Sequence, residues 1–295
     1  MRLSILLVCY NQEPYIKEAV ESIIVQEIPV DFEIVVADDC STDRTTEIIE
    51  QTFSQHQRSY IRIDAKHNLG ISKNYKRGFA ACRGEYIAVI EGDDYWDDPM
   101  RLKKHIEFLD NNPNCVLSFN RIKIYYQDKD LLITQSWNHP DNVEFITPNM
   151  MARKNRIGNL SACVFRTSAL QKLRPDIYDL GIADWMLGMA LGEYGGLAKL
   201  KEPTSVYRVH DKGKWSGRSK KDKFSRLINT TIPKYDKFLD YQYHEEFEAY
   251  KKDILLKLKR DAIKNTIVKI IPAFLINGLQ MITPAFIKAL IKKFI

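Results

Sequence analysis

The sequence is poor in cysteine, in long uninterrupted apolar runs and in low-complexity segments. Its five cysteines (Cys9, Cys40, Cys82, Cys115, Cys163) are scattered, with no Cys-x-x-Cys pair. That excludes a secreted disulfide scaffold and points to reduced thiols, as in a cytosolic compartment. A mean hydropathy of −0.32 excludes a polytopic membrane protein. The apolar run Leu3–Cys9 stops at Tyr10-Asn11-Gln12 without a small-residue cleavage site. It therefore reads as a buried strand rather than a signal peptide. There is no internal repeat and no linker-like tract. With 45% hydrophobic and 28% charged residues, wholesale disorder and collagen-like structure are excluded as well. At 295 residues the chain can form one large α/β domain or two modest ones.

Net positive charge is also absent from most of the chain. The net charge is +6, but the segment from Lys257 to Ile295 alone carries +7, leaving −1 for all that precedes it. A near-neutral globule with a basic, apolar tail lacks the spread-out basic surface of a nucleic-acid binder, so no nucleic-acid partner is expected.

What is present is alternation. Leu3–Cys9, Phe32–Ala37, Tyr60–Asp64 and Tyr86–Ile90 read as strands, and Pro14–Val25, the segment after Ser41-Thr42-Asp43, and Ser72–Cys82 as helices. Strands apolar on both faces, separated by helices, predict a mostly parallel sheet flanked by helices. In such sheets ligands bind at the carboxyl ends of the strands. Three of those ends carry polar groups: Cys9-Tyr10-Asn11, Asp38-Asp39 and Glu91-Gly92-Asp93-Asp94. Beyond Pro113, Val116–Phe119 and Lys123–Tyr126 read as two strands. Residues 127–159 read as a loop-rich stretch with a short helix near Met150, and Ser161–Arg166 and Ser205–His210 as further strands. Ile182–Tyr194 reads as a helix, and helical spacing dominates from Phe224 to Lys264. A boundary falls near 219–223, giving a body over 1–220 (1–115 and 116–220 as its halves) and a helical extension over 221–295.

Five acids crowd into residues 91–98 directly after an apolar strand. Hard divalent cations such as Mg²⁺ or Mn²⁺ favour such oxygens together with phosphate. Asp97 and Asp98, just before Pro99, have the simpler role of opening a helix; Asp93, at the strand end, is the candidate for metal or nucleotide binding.

The runs Ser4–Asn11, Val35–Asp43, Asn68-Leu69-Gly70, Gly84–Ala88 and Glu91–Trp96, in that order and spacing, resemble family 2 glycosyltransferases. The resemblance covers residues 1–115 most strongly and extends weakly to about 217. It implies the GT-A (nucleotide-diphosphosugar transferase) fold and sugar transfer, with inversion, from a nucleotide-sugar donor to an acceptor hydroxyl with Mn²⁺ or Mg²⁺. By resemblance Cys9, Tyr10 and Asn11 lie at the base and ribose, and Asp39, beside Asp38, contacts the pyrimidine. Asn68 and Gly70, in the Asn-x-Gly turn, belong with the donor-binding residues. Glu91 and Asp93 occupy the family's DxD position, with Asp93 or Asp94 reaching the metal. Two departures stand out. The first DxD acid is Glu91, and the family's Arg after the Asn-x-Gly turn is Tyr75, leaving Lys73 or Lys76 as substitutes or as solvent-facing lysines.

In the second half, Gly181–Trp185 resembles the segment that opens the acceptor-side helix. That makes Asp184 the candidate base, or else a helix cap. Tyr207–Gly217 resembles the segment closing over the diphosphate, with His210 as a metal ligand and Arg208 and Lys214 as diphosphate contacts. Gly213 and Gly217 suit a lid.

Ile270–Ile287 has 18 residues without a charge, but Pro272, Gly278 and Pro284 interrupt it and lysines flank it. It reads as helices lying in an anionic membrane interface, the alternatives being a hairpin packed on the body or a homodimer contact. A peripheral place on the cytoplasmic face of the membrane suits a glycan or lipid-linked acceptor, and the EGDDYW variant resembles bacterial surface-polysaccharide transferases. Competing readings are a catalytically silent nucleotide-sugar-binding or scaffolding subunit and a nucleotidyltransferase. The latter expects a Gly-rich basic loop after the first strand, where Tyr10–Pro14 stands instead.

Overall fold

A computed structural model describes residues 1–181, 184–211, 213 and 217–270, the last seven as backbone. It divides into two compact units, Met1–His244 and Glu245–Ile295.

The first unit is built on one ten-stranded sheet. Its parallel half comprises β1 (Leu3–Cys9), β2 (Phe32–Asp38), β3 (Ile61–Asp64) and β4 (Tyr86–Glu91), in the order β3-β2-β1-β4. Helices α1 (Ile16–Ile24), α2 (Thr45–Gln55) and α3 (Ile71–Ala81) make the crossovers. Every residue of β1 is buried, which is why this strand reads as a continuous apolar run rather than an alternating one.

The rest of the sheet is mixed. The two-residue strand β5 (Tyr95–Trp96) follows the acidic turn, then come α4 (Arg101–Asn111) and β6 (Cys115–Tyr126). β6 is one continuous strand where two were expected, because Asn120 is buried and bonded rather than forming a turn. The stretch expected to be loop-rich contains β7 (Leu131–Thr134), β8 (Val143–Ile146) and α5 (Pro148–Arg153), the last where the short helix was expected. Next, a 3₁₀ turn at Leu160–Ala162 leads into β9 (Cys163–Arg166) and α6 (Thr167–Leu170). β9 runs antiparallel between β4 and β6 and joins the two halves. The chain then forms α7 (Asp184–Gly192) and β10 (Gly196–Val209), which runs parallel to β6 and antiparallel to β5 and β8.

Helices α8 (Lys220–Arg226) and α9 (Ile232–Phe238) also belong to this unit. Tyr235 sets its ring edge-on to Trp185, centroids 5.4 Å apart, and the Phe238 carbonyl accepts from Arg174. The compact unit therefore reaches His244, past the change of composition at 219–223. That change marks a run of surface charge, not the limit of the core. Helix α10 (His244–Ile270) continues into the second unit, with Glu245 and Glu246 in its first turn, where the helix dipole favours acids. No helix among the described residues is long and apolar enough to cross a membrane. The segment proposed for the membrane interface, 270–287, lies almost wholly outside the described residues. All five cysteines are unpaired.

Two features of the parallel half lead to expected outcomes. Gly84 lies where β4 begins, and a Cβ there would sit 2.5 Å from the Leu3 carbonyl carbon and 2.8 Å from the Tyr86 oxygen. Both are backbone atoms of paired strands and cannot turn aside. Gly84→Ala should therefore cost about 3 kcal/mol, read as a fall in the urea midpoint at unchanged slope.

Glu33 is buried in β2. It accepts hydrogen bonds from Ser4 Oγ (2.7 Å) and from the Arg83 backbone N–H (2.7 Å) and guanidinium (2.6 Å). Burial pushes its carboxyl up, but the Ser4 and Arg83 bonds outweigh this and hold it below the usual range. A depressed carboxyl contributes stability above its unfolded pKa and loses it as the pH falls through the folded one. The stability gap between the wild type and Glu33→Gln should thus be widest near neutrality and close below about pH 4. A gap independent of pH would contradict this.

Candidate active site

The ends of β1 and β2 form one wall. Asn11 and Cys40 adopt left-handed backbone conformations (φ 51° and 66°), turning the chain sharply out of each strand. The two turns are tied together: Ser41 Oγ accepts from Asn11 N–H (2.9 Å), and Asn11 Oδ1 from Thr42 N–H (2.7 Å). Tyr10, by contrast, is exposed. Cys9 is buried against Asp38, and burial pushes its thiol well up, so it contributes packing rather than a thiolate. Asp38 is buried too and accepts from the Ser41 backbone N–H (2.9 Å) and hydroxyl (2.5 Å). Asp39 accepts at one oxygen from Leu69 N–H and at the other from Gly70 N–H, both at 2.9 Å. Asp39 thus holds the Asn68-Leu69-Gly70 turn, in which Gly70 has φ 85°. A carboxylate offers about four lone-pair sites, so a further acceptor role toward a base remains open to it.

Lys73 is exposed on α3, and Lys76 lies over the Tyr178 ring. The cation that reaches the end of β2 is Arg77, which donates to the Asp38 carbonyl, the Ile63 carbonyl and Asn74 Oδ1. The sequence reading passed over Arg77, although it follows Lys73 by one helical turn.

The acidic turn after β4 splits its four residues among different tasks. Glu91 accepts from the Tyr75 hydroxyl at 2.9 Å, so the tyrosine at the family's Arg position serves as a buried donor to this acid. Burial, followed by the charges of Asp94 and Asp93, pushes the Glu91 carboxyl well up. Gly92 lets the turn close on α1: a Cβ would meet Ile16 Cδ1 at 2.7 Å. Asp94, read as a metal ligand, faces inward. Its oxygens accept from Asn159 Nδ2 (2.5 Å), Ser161 Oγ (2.6 Å) and the Arg208 backbone N–H (2.9 Å). Asp93 faces His210, with Oδ2 and Nε2 3.0 Å apart, and the imidazole packs against Tyr15 at 4.6 Å between centroids.

Arg208 departs most from the expectation of a diphosphate contact. Its side chain is only 6% exposed. It donates to the Asp93 carbonyl (2.9 Å), to Gln127 (2.6 Å) and to Glu18, among the rings of Tyr15, Tyr95 and Tyr125. It locks β10, the acidic turn and α1 together.

Asp184 begins α7. Its Oδ2 accepts from Asn155 Nδ2 at 2.8 Å, and burial raises its carboxyl despite that bond. Its charge is felt at Glu91, and Tyr207 feels Asp94, Glu91, Asp93 and Asp184 together. The fold thus gathers into one neighbourhood acids that are some ninety positions apart in the chain. Trp185, next in the helix, donates to the Met151 carbonyl (2.7 Å) and orients α7. Lys214 lies outside the described residues.

No three His, Cys, Asp or Glu side chains converge as a metal cage among the described residues. Asp93 and His210 form a pair, and that fits Mg²⁺ or Mn²⁺, which take one or two protein ligands and complete their shell with water and phosphate. Ser161, Asn159 and Asn155, which hold the acids in place, escaped sequence reading because no local pattern marks them.

Polar groups at the carboxyl ends of β1, β2 and β4, with His210 just beyond β10 and the Asp184 carboxylate near Glu91, make up the candidate site of this α/β sheet. The family model described as glycosyl transferase family 2 matches residues 4–174, and the chain belongs to that family. Its fold is GT-A. It resembles the mannosyltransferase PcManGT from Pyrobaculum calidifontis in complex with GDP-Man and Mn²⁺ (TM-score 0.60, 16% identity, 91% of this chain and 80% of that one). It also resembles TarS of Staphylococcus aureus, residues 1–349, in complex with UDP-GlcNAc (0.58, 20%, 79% and 66%). In sequence it is 32% identical over 216 residues to the uncharacterized protein Rv1520 of Mycobacterium tuberculosis, covering 72% of this chain. It is 27% identical over 221 residues to TuaG of Bacillus subtilis, a glycosyltransferase named for teichuronic acid biosynthesis, covering 74% of this chain and 84% of TuaG. The chain spans 60% of the length of the mycobacterial relatives it matches.

Proposed function

We propose that this chain is an inverting glycosyltransferase of bacterial surface-polysaccharide synthesis, moving a sugar from a UDP-sugar to a hydroxyl of a glycan or lipid-linked acceptor. The observation that carries the reading is the pairing of Asp93 with His210, brought from 117 positions apart to 3.0 Å, in the neighbourhood of Asp184. Uridine is favoured by the UDP-GlcNAc bound to TarS, and a role at the cell surface by the names of TuaG and TarS.

In this reading Tyr10 stacks on the base, Asp39 hydrogen-bonds its ring, and the Asn11–Thr42 turn faces the ribose. Asp93 and His210 would hold Mn²⁺ or Mg²⁺, which supplies positive charge against the departing diphosphate when bound. The acceptor oxygen attacks the anomeric carbon as the bond from that carbon to the phosphate oxygen breaks, its electron pair leaving with the diphosphate. Asp184 takes the hydroxyl proton, and Asn155 holds the carboxylate in position. Lys214 and the glycines at 213 and 217 belong to a lid over the diphosphate, and the basic apolar tail meets the inner face of the membrane.

Calorimetry with UDP, GDP, dTDP and CMP, each with and without Mn²⁺, tests this. Metal-dependent binding of UDP is expected, and Asp93→Asn should weaken it at least about tenfold in Mn²⁺ while changing metal-free binding little. A folded protein that binds none of the four would instead be the silent scaffolding subunit.

A further inference from the structure

The strand β10 does not pair evenly with β6. Leu200 lies opposite Asn120, Pro203 opposite Arg121 and Ser205 opposite Ile122, so Lys201, Glu202 and Thr204 are extra residues in the ladder. Proline brings no N–H to a ladder and favours such bulges. Between the bulge and α4 lies a cavity of about 460 Å³, within the size range of small-molecule sites. Arg101 and Lys104 line it from α4, Arg121 from β6, and Lys201, Glu202 and Thr204 from the bulge. It shares no residue with the acidic turn, His210 or Asp184.

The charges around it are unbalanced. Lys104 is paired with Asp98 and Glu202. Arg101, Arg121 and Lys201 have no carboxylate partner among the described residues. Arg101 is fully buried; it lies over Trp96 (4.4 Å) and donates to Asn120 Oδ1 (3.2 Å) and the Ser161 carbonyl (3.1 Å). Yet its Nη1 has no hydrogen-bond partner, and neither do the buried Arg121 Nε and Thr204 Oγ1. Burial pushes the Arg101 guanidinium down to about 9, outweighing the opposing charges of Cys163 and Asp98. The neighbouring imidazole of His105 does not add charge, since burial and Arg101 push it well down. A buried cation and three unpaired polar atoms at one cavity are costly to maintain unless a ligand answers them.

We propose that this cavity binds a small molecule through its phosphate group. Donors from a helix, a strand and a bulge approach from different directions, and a tetrahedral dianion can accept from all of them where a planar carboxylate cannot. The remaining volume leaves room for a body the size of a sugar.

The test is calorimetric titration of the full chain with inorganic phosphate, and in parallel with acetate and malonate, at constant ionic strength. The expected result is saturable phosphate binding, weakened about tenfold or more in Arg121→Gln and in Lys201→Gln, with a smaller loss in Thr204→Val. The surface control Lys17→Gln should bind as the wild type does. These three pocket variants avoid the fully buried Arg101, whose replacement endangers folding. Equal phosphate binding by wild type and all pocket variants would locate the anion elsewhere, the donor site included, and overturn the proposal. So would the absence of binding by folded protein, or tighter binding of malonate than of phosphate. The outcome is independent of whether UDP binds.

Discussion

Asp184→Asn should lower the rate of sugar transfer by about 10²–10⁴-fold, the range a positioned general base contributes, with UDP binding changed by less than about threefold. The substitution keeps the shape of the side chain and its bond to Asn155, and removes only the capacity to take a proton. Because burial raises the Asp184 carboxyl, the acid limb of kcat against pH should lie above the range of an ordinary aspartate in the wild type and vanish in the variant. Sign and cause agree: a raised pKa leaves more of the carboxyl protonated at a given pH, and a protonated carboxyl cannot act as base. Steady-state transfer with a radiolabelled UDP-sugar across pH 4–9 reads both quantities once the donor is known. Full activity in Asp184→Asn would reduce this residue to the first residue of α7.

Arg208→Ala should cost about 3–5 kcal/mol of stability, the range for removing one member of a buried charged network. The guanidinium is nearly buried, donates to the Asp93 carbonyl, Gln127 and Glu18, and fills the space among three tyrosine rings. Its loss leaves a cavity and unpaired acceptors in the wall behind Asp93. Arg208→Lys should recover little, since an ammonium cannot serve three directions or stack as the planar group does. A residue whose task was to grip the diphosphate would behave otherwise, with stability unchanged and KM for the donor raised. Urea unfolding, followed by transfer kinetics at a temperature where the variant is folded, separates the two roles.

The parallel half of the sheet was legible because its signals are local. Leu3–Cys9 is buried on both faces and so is apolar at every position but Ser4, whose hydroxyl donates to Glu33, and the polar residues at its end had to mark a strand terminus. The second half was harder to read. β6 passes through Asn120 without a break because His105, Arg101 and Ser205 surround that side chain with polar partners. None of these is near it in the chain. The strands β7 and β8 are short and half-exposed, and such strands carry little periodicity.

The candidate site divides in the same way. Residue types and spacing pointed to the polar ends of β1, β2 and β4 as the candidate site, and the resemblance to family 2 glycosyltransferases singled out Asp93, His210 and the helix-opening Asp184 within it. Which carboxylate faces the site was decided only by tertiary structure. Asp93 and Asp94 are adjacent and identical in kind, and Asp94 turns inward because Asn159, Ser161 and the Arg208 backbone, 65 to 114 residues away, offer it three donors. Likewise Arg208, expected at the diphosphate, is buried as a brace, and Arg77, to which the sequence assigned no part, reaches the end of β2. A sequence states which groups can ionise or donate. Burial and partners decide which of them spend that capacity on the fold, and both arise from contacts between segments far apart in the chain.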